Sequence, residues 1–178
     1  MSNLTSIAGQ VFKPDAMQWE ESEYQFLTGL LMREGGDKRV KDEGGWTRYG
    51  ISERAHGDEY VIWDLTEDQA REIYKEQYIH PSVSRIGKNN VAFKFADMNV
   101  NMGWSNATMV LQRALGIEPD GNFGPATANS LKKAIHEWGE DEVISMISEA
   151  QLKYYKSLPT YDKYPGWDKR AEYNPLNE

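Results

Sequence analysis

The chain has 178 residues, of which 39% are hydrophobic and 27% are charged, a composition typical of a globular protein with a substantial core. Its formal net charge of −8 argues against nucleic-acid binding, because contacts to phosphate depend on clustered Lys and Arg. The sequence contains no cysteine, so disulfides contribute nothing to its stability. No apolar run approaches about 18 residues, which argues against insertion into a membrane.

The first residues lack the basic segment and apolar stretch of a signal peptide, so we expect synthesis in a cytoplasm without export by that route. Residues 1–18 show no periodicity and predict an N-terminal arm. We expect residues 19–178 to form a single domain with two halves, 19–90 around a glycine-rich ribbon and 91–178 mainly helical.

A helical pattern begins at Trp19 and stops at Gly35-Gly36, since glycine adopts the left-handed conformation that ends a helix without strain. Its apolar stripe is formed by Tyr24, Leu27, Leu31 and Glu34, with Leu30 beside them. From Val40 to Ser52 the residues alternate around Gly44-Gly45, which predicts a small hairpin or ribbon.

The rest of the chain reads as helices separated by clear turn signals. Thr66 to Gln69 is a capping box that opens one helix, and Pro125 stands where a first-turn proline opens another. The remaining predicted helices are Val91–Met102, Ala107–Leu115 and Val143–Leu158, with a structural turn at Asp120-Gly121 and a wrapped tail from Pro159. Mostly helices with one small ribbon predicts an α+β, mainly helical fold.

Glu34 is the first candidate for chemistry. It lies at the edge of the apolar stripe in the last turn of its predicted helix. Partial burial and the negative end of the helix dipole both disfavour the ionised carboxylate. A protonated Glu is what a general acid needs in order to protonate a leaving glycosidic oxygen. The structural alternative is a surface Glu at a helix end.

Asp42 and Glu43 precede the Gly-Gly turn, and either can supply a second carboxylate facing Glu34. Two opposed carboxyl groups are the chemistry of glycosidic bond cleavage, in which the second one activates water or stabilises positive charge on the sugar. The hydroxyl of Thr47 can position a water beside that carboxylate. The alternative is a solvated acidic turn.

Other polar and aromatic residues are candidates for sugar contacts. Asn101 lies on the helix expected to line the far side of a cleft, where it can bind N-acetyl or hydroxyl groups; capping and buried polar contacts are the alternative. Trp46, Tyr49 and Trp104 can form sugar-facing walls, although filling the core is an equally ordinary role for aromatic rings.

The motifs together resemble glycoside hydrolase family 108, the lysozyme-like muramidases found as phage endolysins and in bacteria. The N-terminal likeness is carried by Glu34-Gly35-Gly36, by Asp42-x-Gly44-Gly45-x-Thr47-x-Tyr49-Gly50-Ile51-Ser52 and by Ala70-Arg71-Glu72-Ile73-Tyr74. Phe95 to Gly103, Leu111 to Gly116, Asp120 to Thr127 and Gly166-Trp167 with Arg170 are similar to the predicted peptidoglycan-binding region that accompanies the family.

The resemblance implies a lysozyme-like fold, with a smaller β lobe and a larger helical lobe flanking a cleft. It also implies an N-acetylmuramidase that needs no cofactor and cleaves the β-1,4 bond between N-acetylmuramic acid and N-acetylglucosamine. It implies a monomer acting on peptidoglycan glycan strands, as an endolysin that reaches the wall after release or as part of a virion. Glu34 takes the family's catalytic acid position. Counting back from Gly44-Gly45 selects Asp42 as the second acid, with Thr47 assisting and Glu43 contacting substrate, whereas counting forward from Glu34 favours Glu43.

The chain departs from the family pattern between the two acids, where Asp37 to Val40 replaces the usual residues and Glu43 stands in place of proline. Two rival functions follow. One is a lytic transglycosylase, which uses a single catalytic Glu, and the other is a non-catalytic wall-binding phage protein. A zinc amidase is disfavoured because His56, His80 and His136 lack the spacing of metal ligands.

Overall fold

The computed structural model describes the backbone of residues 14–177, with side chains described from Glu21 onward. The chain divides into two compact units, Met1–Trp63 and Asp64–Glu178. The described residues form seven α-helices and one three-stranded antiparallel sheet, which confirms the predicted α+β, mainly helical fold class. Within residues 14–177, no helix combines the length and the apolar character needed to cross a bilayer.

The first unit begins with helix α1, Pro14–Arg33. The helix starts before the predicted Trp19, with proline in its first turn. The absence of an N–H there costs no hydrogen bond, because the first N–H groups of a helix have no partner within it. Residues 1–13, most of the predicted arm, lie outside the described residues. The buried face of α1 consists of Phe26, Leu27, Leu30 and Leu31. Tyr24, which the sequence pattern placed on this face, is 51% exposed.

The predicted ribbon is a sheet of strands β1 (Val40–Asp42), β2 (Gly45–Arg48) and β3 (Ile51–Ser52), in that order. In its register, Val40 pairs with Thr47 and Asp42 with Gly45 across the first turn, and Thr47 pairs with Ser52 across the second. Helix α2, Glu53–His56, follows β3 directly and ends at Gly57.

The second unit is helical. Thr66 and Gln69 form the predicted capping box at the start of α3. Its elements are α3 (Glu67–Ile73), a π-helical turn (Tyr74–Tyr78), a 3₁₀ turn (Pro81–Arg85), α4 (Asn90–Met102), α5 (Trp104–Ala114), α6 (Pro125–Lys156) and α7 (Trp167–Ala171). Gly139 interrupts α6 with a φ of 84°, so this segment is two helices joined at a bend, as the sequence predicted.

Helix α4 is the centre of the second unit, since every residue from Val91 to Asn99 is buried. It packs against α5, α6 and the 3₁₀ turn Pro175–Asn177 near the end of the chain. The side chain of Lys94 donates hydrogen bonds to the carbonyl oxygens of Ala171 and Tyr173, both at 2.8 Å. These bonds fasten the tail to α4, which agrees with the predicted wrapped tail.

Candidate functional site

Glu34 is the residue directly after the last turn of α1, with its backbone N–H bonded to the carbonyl oxygen of Leu30 at 3.0 Å. The N–H of Gly36 returns to the carbonyl of Leu31 at 2.9 Å, and both following glycines have positive φ (115° at Gly35 and 61° at Gly36). The helix therefore ends where the sequence predicted. The Glu34 side chain is half-buried and its Oε1 atom is buried.

The sheet is attached to the end of α1 at this same point. The N–H of Tyr49 donates to the carbonyl oxygen of Gly36 at 3.0 Å. Tyr49 and Gly50 form the two-residue turn between β2 and β3, with φ values of 53° and 75°. Positive φ at both positions is what a type I′ hairpin turn requires, and it is uncommon for a tyrosine.

Tyr49 is a core residue. Its side chain is only 6% exposed, and the guanidinium of Arg48 lies 5.2 Å from its ring centroid. Packing of the ring and the bond to Gly36 offset a backbone conformation that costs about 1 kcal/mol or more. The residue thus fixes the ribbon against the helix end instead of presenting an open ring.

Asp42 closes the first hairpin turn. Its Oδ1 atom accepts a hydrogen bond from the N–H of Gly44 at 2.7 Å, while Oδ2 makes no hydrogen bond with the described residues. Glu43 lies at the exposed tip of the turn. Both acids are therefore accessible, and one oxygen of Asp42 also has a structural role.

The register brings Asp42 and Thr47 to one face of the sheet. Asp42 is paired with Gly45, and Gly45 and Thr47 are two residues apart on the same strand, so all three point the same way. The Thr47 hydroxyl makes no hydrogen bond to other described residues. Trp46 belongs to the opposite face.

Glu53 adds a carboxylate that sequence reasoning missed. Its Oε2 atom accepts the N–H of Trp46 at 2.8 Å, across the turn from β3 to α2. A Cβ built on Gly45 would lie 2.2 Å from that oxygen, so only glycine lets the carboxylate approach. Because the Cβ of residue 45 points to the Asp42 face, the Glu53 carboxylate lies on that face too.

The opposite face carries aromatic rings and cations. The Trp46 and Trp63 ring centroids are 4.4 Å apart, with planes at 55°. The Lys41 ammonium lies 5.2 Å from the Trp46 ring centroid, and the Arg39 guanidinium lies 5.0 Å from that of Trp63. Arg39 and Arg48 each donate to the Trp63 carbonyl at 3.2 Å. Sequence reasoning found Trp46 but not Trp63, whose neighbours are distant in the sequence.

The candidates in the second unit already have protein partners. The Oδ1 atom of Asn101 accepts the phenolic O–H of Tyr155 at 2.5 Å. Trp104 stacks on His80, with ring centroids 3.7 Å apart and planes at 18°, and packs near Phe95 and Phe123. The structure therefore gives Asn101 and Trp104 the packing roles that the sequence had left as alternatives.

The Asp120-Gly121 turn is structural, as predicted. Gln112, which is 2% exposed, donates through Nε2 to Oδ1 of Asp120 at 2.6 Å and accepts the N–H of Gly121 at 2.9 Å. The N–H of Asn122 and the amide of Gln112 both donate to Asp120, which lowers the pKa of its carboxyl.

Two regions of the chain match known protein families. Residues 27–103 match the family described as Glycosyl hydrolase 108, and residues 106–172 match the family described as Predicted Peptidoglycan domain. The chain is a glycoside hydrolase, since its first region matches family 108, and the second match supports peptidoglycan as the polymer on which it acts.

Among solved structures, the chain is similar to Brucella abortus SagA, with a TM-score of 0.63 and 24% sequence identity. The similarity covers 86% of this chain and 91% of the SagA chain, and at this identity it establishes the fold. A comparison with curated proteins returns no match.

The family match and the division into compact units place the boundary within the chain at different residues. The glycosyl hydrolase match ends at residue 103, whereas the compact units divide after Trp63. Glu34, Asp42, Thr47 and Glu53 are within both the first match and the first unit. The division at residue 90 into two halves of one domain stays a prediction.

Proposed function

We propose that this peptidoglycan hydrolase is an N-acetylmuramidase, with Glu34 as the general acid. The observation that carries the proposal is the position of Glu34, which has a buried Oε1 atom at the end of α1. The glycine turn beside it holds the sheet, through the bond between Tyr49 and Gly36. A general acid needs such a fixed carboxyl, shielded in part from bulk water, at the edge of a substrate site.

In the proposed reaction, Glu34 donates its proton to the glycosidic oxygen that leaves N-acetylmuramic acid. Positive charge then develops at the anomeric carbon, and a second carboxylate stabilises it or activates a water. Asp42 is our choice for that role, because its Oδ2 atom makes no bond to the described residues and it shares a face of the sheet with Thr47. The Thr47 hydroxyl then orients the water.

Glu43 remains the alternative to Asp42, since it is exposed one residue further along the turn. The variants Asp42→Asn and Glu43→Gln distinguish them, because the variant of the second carboxylate loses far more turnover than the variant of the other acid. Since Oδ1 of Asp42 also closes the turn, its variant needs a check that folding is intact.

The proposed sugar contacts are Glu43, at the exposed turn, and Trp46, whose half-buried ring can present an aromatic edge to a sugar. Tyr49 has a positioning role in this proposal because it is buried. Asn101 and Trp104 are left out of the contact set, since their polar atom and ring are engaged by Tyr155 and His80.

Replacing Glu34 tests the proposal directly. We expect Glu34→Gln to reduce the release of new reducing ends from purified peptidoglycan by about 10²–10⁴-fold, because the amide keeps the shape but has no proton to donate. The matched control is Glu118→Gln, at an exposed carboxylate that has no hydrogen bond or ion pair with the described residues, and it keeps full activity. Circular dichroism verifies that both variants fold. Equal activity of wild type and Glu34→Gln would remove Glu34 from the mechanism.

Product analysis tests the bond that is cut and the rival reaction. After borohydride reduction, a muramidase yields fragments that end in reduced N-acetylmuramic acid. A lytic transglycosylase yields 1,6-anhydro ends, which borohydride leaves unchanged. Mass spectrometry separates these products, and anhydro ends alone would reject hydrolysis. Binding to peptidoglycan without any cleavage would favour the non-catalytic wall-binding alternative.

We also propose, from the family resemblance alone, that the enzyme acts as a phage endolysin that needs help to reach the wall. Expression in a bacterial cytoplasm then leaves cells intact, and co-expression with a protein that permeabilises the inner membrane lyses them. The lysis is measured as loss of culture turbidity. Lysis without the permeabilising protein would contradict this route.

A further inference from the structure

A separate groove lies between α5 and the second half of α6, in the second unit. Its volume is about 880 Å³, and every residue that lines it falls between Met109 and Ser157. This volume is within the range of about 300–1,000 Å³ that is usual for small-ligand sites. None of the lining residues belongs to the candidate site around Glu34.

The groove combines half-buried apolar walls with charged side chains at its surface. Met109, Met146 and Tyr154 contribute apolar surface. Its charged residues are Arg113, Glu149 and Lys153, all exposed. None of these three side chains has a hydrogen bond or an ion pair with the described part of the chain. The groove thus presents two cations and one carboxylate that the described fold leaves to solvent.

We propose that this groove binds the peptide stem of peptidoglycan, an inference that rests on the proposed function. An uncrosslinked stem carries carboxylates on its γ-linked glutamate and at its C-terminus, and its diamino acid carries an ammonium group. Two of the stem carboxylates and its ammonium group complement Arg113, Lys153 and Glu149, and a stem whose diamino acid is diaminopimelate carries one further carboxylate. Arginine can hold a carboxylate through two parallel hydrogen bonds, which gives the contact a defined orientation.

The glycan strand fits the groove less well than the stem. In intact peptidoglycan the lactyl carboxyl of N-acetylmuramic acid is consumed in the amide bond to the stem, so the glycan itself brings no charge for Arg113 or Lys153. The alanine methyl groups of the stem match the apolar walls, and methionine side chains at positions 109 and 146 can adapt to their shape.

Binding of a soluble muropeptide to the full-length chain tests the inference. The probe is the disaccharide tetrapeptide, compared by calorimetry with the same disaccharide in which a simple amide on the lactyl carboxyl replaces the peptide. We expect the tetrapeptide to bind more tightly, and the double variant Arg113→Gln with Lys153→Gln to weaken its binding at least about tenfold. The matched control Lys132→Gln, at an exposed lysine of α6 outside the groove, leaves binding unchanged. Acetylation of the stem ammonium weakens binding to wild type but not to Glu149→Gln.

The possible outcomes distinguish a failure of this inference from a failure of the proposed function. Equal binding of both probes, undetectable binding of the tetrapeptide, or unchanged binding by the folded double variant would overturn the groove assignment, even if peptidoglycan is still cleaved. Stem-dependent binding without cleavage supports the groove and counts against the muramidase. Glu34→Gln is expected to keep wild-type affinity for the tetrapeptide while losing turnover.

Discussion

The two units use the same kinds of charged side chain in opposite ways. In the first unit, Asp42 and Glu43 lie exposed on a short turn. In the second unit, Lys94 and Asp97 are fully buried in α4, each with a relative exposure of 0%. The comparison shows that residue type alone does not identify chemistry. Burial and the partners of a charge separate a group that is available to a substrate from one that holds the fold together.

The buried charges of the second unit are compensated within the chain. Lys94 donates to two backbone carbonyls of the tail, and Asp97 pairs with Arg170 of α7, with Nε 3.0 Å from Oδ2. A buried charge is tolerated only with such partners, since its transfer from water is costly. These residues therefore fasten the C-terminal segment to α4.

Removing one partner of the buried ion pair is expected to have the largest effect on stability. Arg170→Met leaves the Asp97 carboxylate buried without its cation, and we expect a loss of about 3–5 kcal/mol in the free energy of unfolding. Urea unfolding measures it. The control is Lys169→Met, at the neighbouring exposed position, which changes stability by less than about 0.5 kcal/mol. A loss below about 1 kcal/mol for Arg170→Met would mean that the buried pair does not hold the tail.

In the first unit, the substitution expected to have the largest effect on stability is the replacement of a glycine. In Gly45→Ala, the new methyl would lie 2.2 Å from Oε2 of Glu53, and the backbone has a φ of 100° that L side chains rarely adopt. We expect a loss of about 2–3 kcal/mol and a fall in hydrolysis, because the Asp42 turn moves. Stability and the rate of peptidoglycan cleavage are measured together.

The matched control for this change is Gly124→Ala. A Cβ at Gly124 meets nothing within 4 Å, and its φ of −91° is ordinary for alanine. It should differ little from wild type in either measurement. If Gly45→Ala also kept wild-type stability and activity, the approach of Glu53 to the turn would have no consequence for the site.

The elements that could be predicted from the sequence are those with local signals. Consecutive glycines end α1, a capping box opens α3, and Pro125 opens α6, because each effect depends on residues within one or two turns. The hairpin also follows from its glycines and alternation. The sequence pattern predicts the start of α1 at Trp19, which is too late, because Pro14 gives a start signal without an apolar pattern around it.

The parts of the candidate site that could not be predicted depend on contacts between distant segments. Asn101 and Tyr155 are 54 residues apart in the sequence, and no local pattern joins them. The approach of Glu53 to Gly45 requires the fold of the sheet, and the burial of Tyr49 requires its bond to Gly36. Glu34, Asp42 and Thr47 can be selected as candidates from the sequence because their spacing within one short segment is itself the signal.

The smallest expected effect is at Tyr155, which links α6 to α4. Its O–H donates to Asn101, and it accepts a hydrogen bond from Gln151 at 2.8 Å. Tyr155→Phe removes both bonds while keeping the ring, so we expect a loss of about 1 kcal/mol at neutral pH. Asn101→Asp is a poor substitute for this test, because it would bury a new charge.

The pH dependence sharpens the same test. Burial, with smaller contributions from Asp97 and Tyr154, raises the pKa of Tyr155 to about 12, against an ordinary value of 10.0. Because the folded state holds the phenol neutral, its contribution is fully present below pH 10 and is lost as the pH rises from 10 towards 12. Wild type should therefore lose stability more steeply than Tyr155→Phe over that interval, as followed by thermal unfolding at each pH. If the stability of the two proteins fell equally over this pH interval, the phenol would titrate in the folded state as it does in water. The link between α4 and α6 would then be open to solvent.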